Sequence, residues 1–169
     1  MRGASENRPE GWNIRRFAAK DGGSRARRRP QQGGPMLKQI TCTTIHPSFG
    51  AYAQGIQVPA GLGLVVTSGQ LGIAADGTVP PGAYEQALLC FANCTAILAE
   101  AGLGRENVVR LNTFVTDRAH MADYMRARTA WLEGTSHMPA STLVIVSGFT
   151  RPEFRVEIEV VAAVCEPSG

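Results

Sequence analysis

The chain lacks paired cysteines, clustered aromatics and long apolar runs, and each lack removes a class of function. Its four cysteines, Cys42, Cys90, Cys94 and Cys165, include no CxxC pair and no histidine at zinc-site spacing from them, so no metal or redox centre is expected. Cys90 and Cys94 stand four apart in a helical pattern and read as small core hydrophobes on one face. No apolar run approaches the ~20 residues of a membrane span, and the N-terminal segment has no apolar centre of the signal-peptide kind. The expectation is a cytoplasmic protein with reduced thiols and no membrane partner. Aromatics make up only 7% of the residues and form no stacking platform for nucleic-acid bases. His120 and His137 have no sequence-evident nucleophile or carboxylate partner, which leaves them without a catalytic assignment.

What is present is enough for one folded core: 169 residues, 44% of them hydrophobic and 18% charged. The formal charge of +3 hides a division. Residues 1–35 carry nine Arg or Lys against three acids, and residues 36–169 carry eight against eleven, so the leader is +6 and the body −3. An acidic body is a poor phosphate-binding surface, which places a nucleic-acid partner last among the alternatives. The leader holds the cluster Arg25, Arg27, Arg28, Arg29 among Gly and Pro, with Trp12, Ile14 and Phe17 as its large apolar residues. That composition predicts disorder, with a basic amphipathic or transit-type segment as the alternative. A domain over 36–169 follows, and Met36 is a candidate alternative translation start.

Within the body, strand-like runs at Leu37–Ile45, Tyr52–Val58 and Gly63–Ser68 are separated by Pro47, Gly50, Pro59 and Gly61. Beyond Pro80-Pro81 the apolar period lengthens, because Ala87, Cys90, Phe91, Cys94, Ile97 and Leu98 recur at three and four, a helix ending near Gly102. A strand over Val108–Val115, a helix over Met121–Leu132 closed by Gly134, and two strands within Pro139–Val164 complete the order β-β-β-α-β-α-β-β. Two helices cover one face of a six-stranded sheet. The other face, expected to hold Val66 or its neighbours, Leu143, Ile145, Val161 and Ala163, is left for another copy of the chain to bury.

Two acids interrupt the last strand. The period of two places Glu157 and Glu159 on one face, which turns apolar at Val161 and Ala163 within one further pleat. A carboxylate at such an edge is paired, put to use, or simply the exposed end of a buried strand. Arg155 shares that face and reads as an ion-pair partner for an acid, while Arg118, Arg126 and Arg128 read as solvated.

An ordered set of short motifs now gains meaning. Tyr52-Ala53-Gln54-Gly55, Thr67-Ser68-Gly69-Gln70-Leu71-Gly72, Glu85-Gln86 opening a helix that reaches Asn93, Phe114-Val115-Thr116-Asp117, Pro139-Ala140-Ser141-Thr142 and Val156-Glu157-Ile158-Glu159 together resemble the RidA (YjgF/UK114) family over about residues 40–164. The resemblance implies a chorismate-mutase-like α+β subunit in a homotrimer, with small-molecule clefts between neighbouring subunits and no cofactor. It also implies hydrolysis of reactive enamines and imines, such as 2-aminoacrylate, to ketoacid and ammonia. Glu157 falls on the family's water-holding glutamate, and Tyr52, Ser68, Gly69, Ser141 and Thr142 fall on substrate-binding positions. Ser141 is a departure, since the family's motif Pro-Ala-Arg-Ser carries there an arginine that clamps the substrate carboxylate. Losing a charged hydrogen bond of that kind costs about 1.5–3 kcal/mol, or roughly tenfold to a few hundredfold in binding. The expected activity is therefore an imine deaminase of altered or reduced scope. A non-catalytic metabolite-binding trimer is the alternative, and a ribonuclease or translation inhibitor ranks below both.

Overall fold

The structure, a computed structural model, describes residues 37–41, 43–44 and 50–164. The predicted leader over 1–35 lies outside the described residues, as do Cys42 and Cys165. All the elements belong to the unit Gln31–Gly169. They are β1 (Lys38–Ile40), β2 (Gly55–Gln57), β3 (Gly63–Val66), β4 (Gln70–Leu71), α1 (Ala83–Glu100), β5 (Val108–Val115), α2 (Met121–Leu132), β6 (Ala140–Ile145) and β7 (Val156–Val164).

The α1 stripe forms as its spacing predicts. Ala87, Cys90, Phe91, Cys94 and Leu98 are all buried, and Phe91 stacks on Trp131 of α2 with ring centroids 4.6 Å apart. The helix ends in a Schellman turn: Gly102 takes φ +70°, its N–H donates to Ala99 at 2.9 Å, and Leu103 N–H donates to the Leu98 carbonyl at 2.9 Å. Burial pushes the Cys94 thiol up to about 12, and Cys90 well above its ordinary value. Both thiols are thus protonated core groups at neutral pH. No described helix is long and apolar enough to cross a membrane.

The strands depart from the expected single six-stranded sheet. Among the described residues they form a five-stranded sheet, β3-β7-β5-β6 with β4 also on β7, and a separate antiparallel pair, β1-β2. The run after Tyr52 supplies Gly55–Gln57 as strand, and among the described residues it meets β6 at a bridge between Ala53 and Ala140. The α+β class with both helices on one face of the larger sheet stands, because α1 and α2 pack over the same buried side of β5 and β7.

β3 and β4 are one strand broken by a bulge. Val66 faces Val161 and Gln70 faces Ile158, so four steps on one strand match three on the other. Thr67 holds the ladder at the break: its N–H donates to the Val160 carbonyl at 3.0 Å, and its hydroxyl accepts from Val160 N–H at 3.0 Å. Thr67→Val keeps the shape and strands that buried N–H. We expect a loss of about 1–2 kcal/mol in urea denaturation, with hydrogen exchange at Val160 accelerated. An unchanged midpoint would show that the hydroxyl is dispensable.

On the sheet face away from the helices lie Leu64 and Val66, paired with Ala163 and Val161, and Val144, paired with Phe114. Val66 is 67% exposed. Leu143 and Ile145, predicted on this face, instead register with Thr113 and Val115 on the helix side. The parallel pairing of β6 to β5 fixes their direction, which alternation alone leaves open when both faces of a strand hold apolar residues.

Candidate active site

β7 delivers Glu157 and Glu159 to the open face as the period of two requires. Glu157 registers between Leu71 of β4 and Phe114 of β5. The bulge brings Gly69 directly against it: a Cβ built on Gly69 would stand 1.7 Å from Glu157 Oε1 and 2.6 Å from Cδ. Here the absence of a side chain makes the carboxylate's position possible. Partial burial, and secondarily the charge of Glu159, hold the Glu157 carboxyl above its ordinary value. Glu159 accepts from Asn112 Nδ2 at 3.3 Å, and Asn112 Oδ1 accepts from Arg110 Nε at 2.8 Å. Neither of the ion pairs among the described residues, Arg126–Asp123 and Arg151–Glu153, involves Glu157 or Glu159.

The predicted cleft residues separate into two groups. Ser68 and Gly69 adjoin Glu157, and Ser68 is exposed beside it, its carbonyl accepting from Gln70 Nε2 at 3.0 Å. Thr142 lies on the same face further along, its hydroxyl accepting from Arg110 Nη2 at 3.1 Å. Ser141 lies on the opposite face, registered with buried Leu111. From Glu157 it is removed by three residues, about 10 Å along the strands, and by two strand spacings, about 10 Å across. Tyr52 is half-buried in the segment that docks on the start of β6, where Ala53 N–H donates to the Pro139 carbonyl at 3.3 Å. The chain therefore brings Gly69, which follows Ser68, against Glu157, and does not bring Ser141 or Tyr52 to them.

Two arginine assignments are corrected. Among the described residues Arg155 pairs with no acid; its Nε donates to the Pro81 carbonyl at 2.8 Å and its Nη1 lies 3.4 Å from His120 Nε2. Arg128 is not solvated but 3% exposed, with Nη2 donating to the Ala51 carbonyl. Arg110 and Asn112 were not singled out from the sequence. The signal was their alternation with Phe114 along β5, which sets all three on the glutamate face.

A carboxylate of raised pKa, held at a bulge on a half-buried face, is suited to accept a proton from water. The family model described as Endoribonuclease L-PSP matches residues 43–164, the span that contains this carboxylate and its bulge. The chain belongs to the RidA family. A RutC family protein of Aquifex aeolicus is 35% identical over 127 residues, covering 75% of this chain and 98% of the relative. The 2-iminobutanoate/2-iminopropanoate deaminase of Escherichia coli is 29% identical over 129 residues, covering 75% and 98%. The crystal structure of E. coli TdcF with bound serine superposes with a TM-score of 0.57 at 27% identity, covering 75% of this chain and 98% of that one. For a RidA-family chain, the Gly69–Glu157 contact gives a direct test of site geometry. In Gly69→Ala the flexible end of Glu157 must swing away, so any activity that uses this carboxylate should fall about tenfold or more while thermal stability moves little. Retention of full activity would show that the carboxylate is used in another position.

Proposed function

We propose that this chain hydrolyses small reactive imines and enamines to a carbonyl product and ammonia, with Glu157 as the base that holds the water. Water oxygen bonds to the carbon of the protonated imine as the C=N electron pair moves to nitrogen and one water proton passes to Glu157. Glu157 then gives that proton to the carbinolamine nitrogen, and the C–N bond breaks as the hydroxyl gives up its proton to form C=O, releasing ammonia and leaving Glu157 ionised once that proton reaches solvent. The observation that carries this reading is the Glu157 carboxyl pressed against Gly69, with a pKa raised by partial burial. The deaminase name of the E. coli relative agrees with it in reaction class. We place the activity in the cytoplasm and in a homotrimer whose neighbouring subunits bring Ser141, Thr142 and Tyr52 toward a shared small-molecule cleft. Exposed Leu64, Val66 and Val144 support burial of the open face by other copies. Ser141 in place of the clamp arginine reduces or redirects substrate choice.

Ser141 also favours a second reading, a trimer that binds a metabolite without turnover. A coupled assay that releases 2-aminoacrylate, with light scattering for particle mass, separates them. Accelerated ammonia release by particles of three times the 18.0 kDa chain mass supports hydrolysis. Ligand-induced thermal stabilisation without product supports binding alone, and a monomer at micromolar concentration removes the cleft and both readings.

A further inference from the structure

The chemistry at Glu157 leaves one buried charge unused. Arg128 is 3% exposed on the inner face of α2, and its Nε is buried without a hydrogen-bond partner. Its Nη2 is occupied by the Ala51 carbonyl. No acid among the described residues pairs with it; Arg126, two residues earlier, takes Asp123 at 3.1 Å and lies 4.0 Å over the Tyr84 ring. The polar group beside Arg128 is the Tyr124 phenol, which burial keeps protonated and which accepts from Thr113 at 2.8 Å. A buried guanidinium with an open donor and no counter-charge is costly unless an anion meets it.

Room for an anion adjoins it. A cavity of about 650 Å³ is lined by Arg128 together with Ala51, Met125, Leu132, Thr135 and Met138. That volume suits a small metabolite. Two cations, Arg126 and Arg128, stand on the cavity wall with Met125, Ala130, Leu132 and Met138. Arg126 is taken up by Asp123, which leaves Arg128 to select a short apolar body ending in a carboxylate, bound by charge-assisted hydrogen bonds from the guanidinium. Glu133, at the same cavity, forms no ion pair with Arg128.

We propose that this cavity binds a small aliphatic carboxylate on the Arg128 guanidinium. The site lies on the α2 side of the sheet, away from the Glu157 face, and does not depend on imine hydrolysis there. The test is calorimetric titration of the full chain with butanoate and with its uncharged analogue butanamide. Butanoate should bind at least about tenfold more tightly, the difference expected for a charged hydrogen bond, and it should shift the methyl NMR signals of Met125 and Met138. Arg128→Met should abolish the preference, Arg128→Lys should keep part of it, and Glu157→Gln should leave it intact. If Arg128→Met does not fold, the wild-type comparison and the methyl shifts decide. Equal affinity for the two probes, no binding of butanoate, or shifts confined to the Val66 and Val144 methyls would overturn the proposal.

Discussion

On the proposed mechanism Glu157→Gln should lower imine hydrolysis by about a hundredfold or more and, at neutral pH, should raise the melting temperature. Both effects come from one property of the site. The amide keeps the shape against Gly69 but cannot take a proton from water, and removing a positioned base costs about 10²–10⁴ in rate. The proposed hydrolytic rate of the wild type should fall as pH drops through the Glu157 pKa, which burial and Glu159 hold above the ordinary 4.5. For stability the sign is opposite. A carboxyl whose pKa is raised by folding contributes stability that is fully present below its unfolded value, near 4.5, and lost as pH rises through the folded value. The charged form at pH 7 is therefore a liability that glutamine relieves, and the melting-temperature difference between variant and wild type should widen from pH 4 to pH 8. Activity surviving in Glu157→Gln, or a variant less stable than wild type at pH 8, would contradict this account.

The same residue shows what a sequence can disclose. Glu157 and Glu159 were legible because a nine-residue strand enforces its period, whatever else the chain does. The α1 stripe from Ala87 to Leu98 was legible for the equivalent reason at helical spacing. The bulge that presses Gly69 on Glu157 was not, since it exists only as a mismatch between two strands far apart in the chain. β4, two residues long, is likewise defined by its partner β7 rather than by its own pattern. Arg128 is a different case. Tyr124, Ala127, Arg128 and Trp131 are the buried stripe of α2, so position alone placed the arginine inside. The default that charged side chains face water concealed it. Ser141 could be aligned with the family's clamp position, but its place on the opposite face follows from parallel pairing with Leu111, which no local pattern specifies.

Gln86→Leu should be the most destabilising single change outside the apolar core, by about 3 kcal/mol or more in chemical denaturation. Gln86 is fully buried on α1, and its side-chain amide binds three backbone groups in two segments, at Pro80 and at Glu153–Arg155. Nε2 donates to the Pro80 carbonyl at 2.7 Å and to the Glu153 carbonyl at 2.8 Å, while Oε1 accepts from Arg155 N–H at 2.8 Å. Leucine fills similar space and leaves two acceptors and one donor without partners, each worth about 1–3 kcal/mol where water cannot reach. Gly72 lies so close that a Cβ there would stand 2.6 Å from Gln86 Cα, which leaves little room for repacking. The consequence extends to the site, because Arg155 leads directly into β7 and its anchoring fixes the strand that carries Glu157 two residues on. Hydrolysis should therefore fall in Gln86→Leu even at temperatures where the variant remains folded, and hydrogen exchange at Arg155 should accelerate before that of Val160. Gln86→Glu isolates the donors: it retains an acceptor for Arg155 N–H but loses both bonds from Nε2, and should recover only part of the stability. A loss below about 1 kcal/mol in Gln86→Leu would mean that water replaces the amide and that β7 is registered by its neighbours alone.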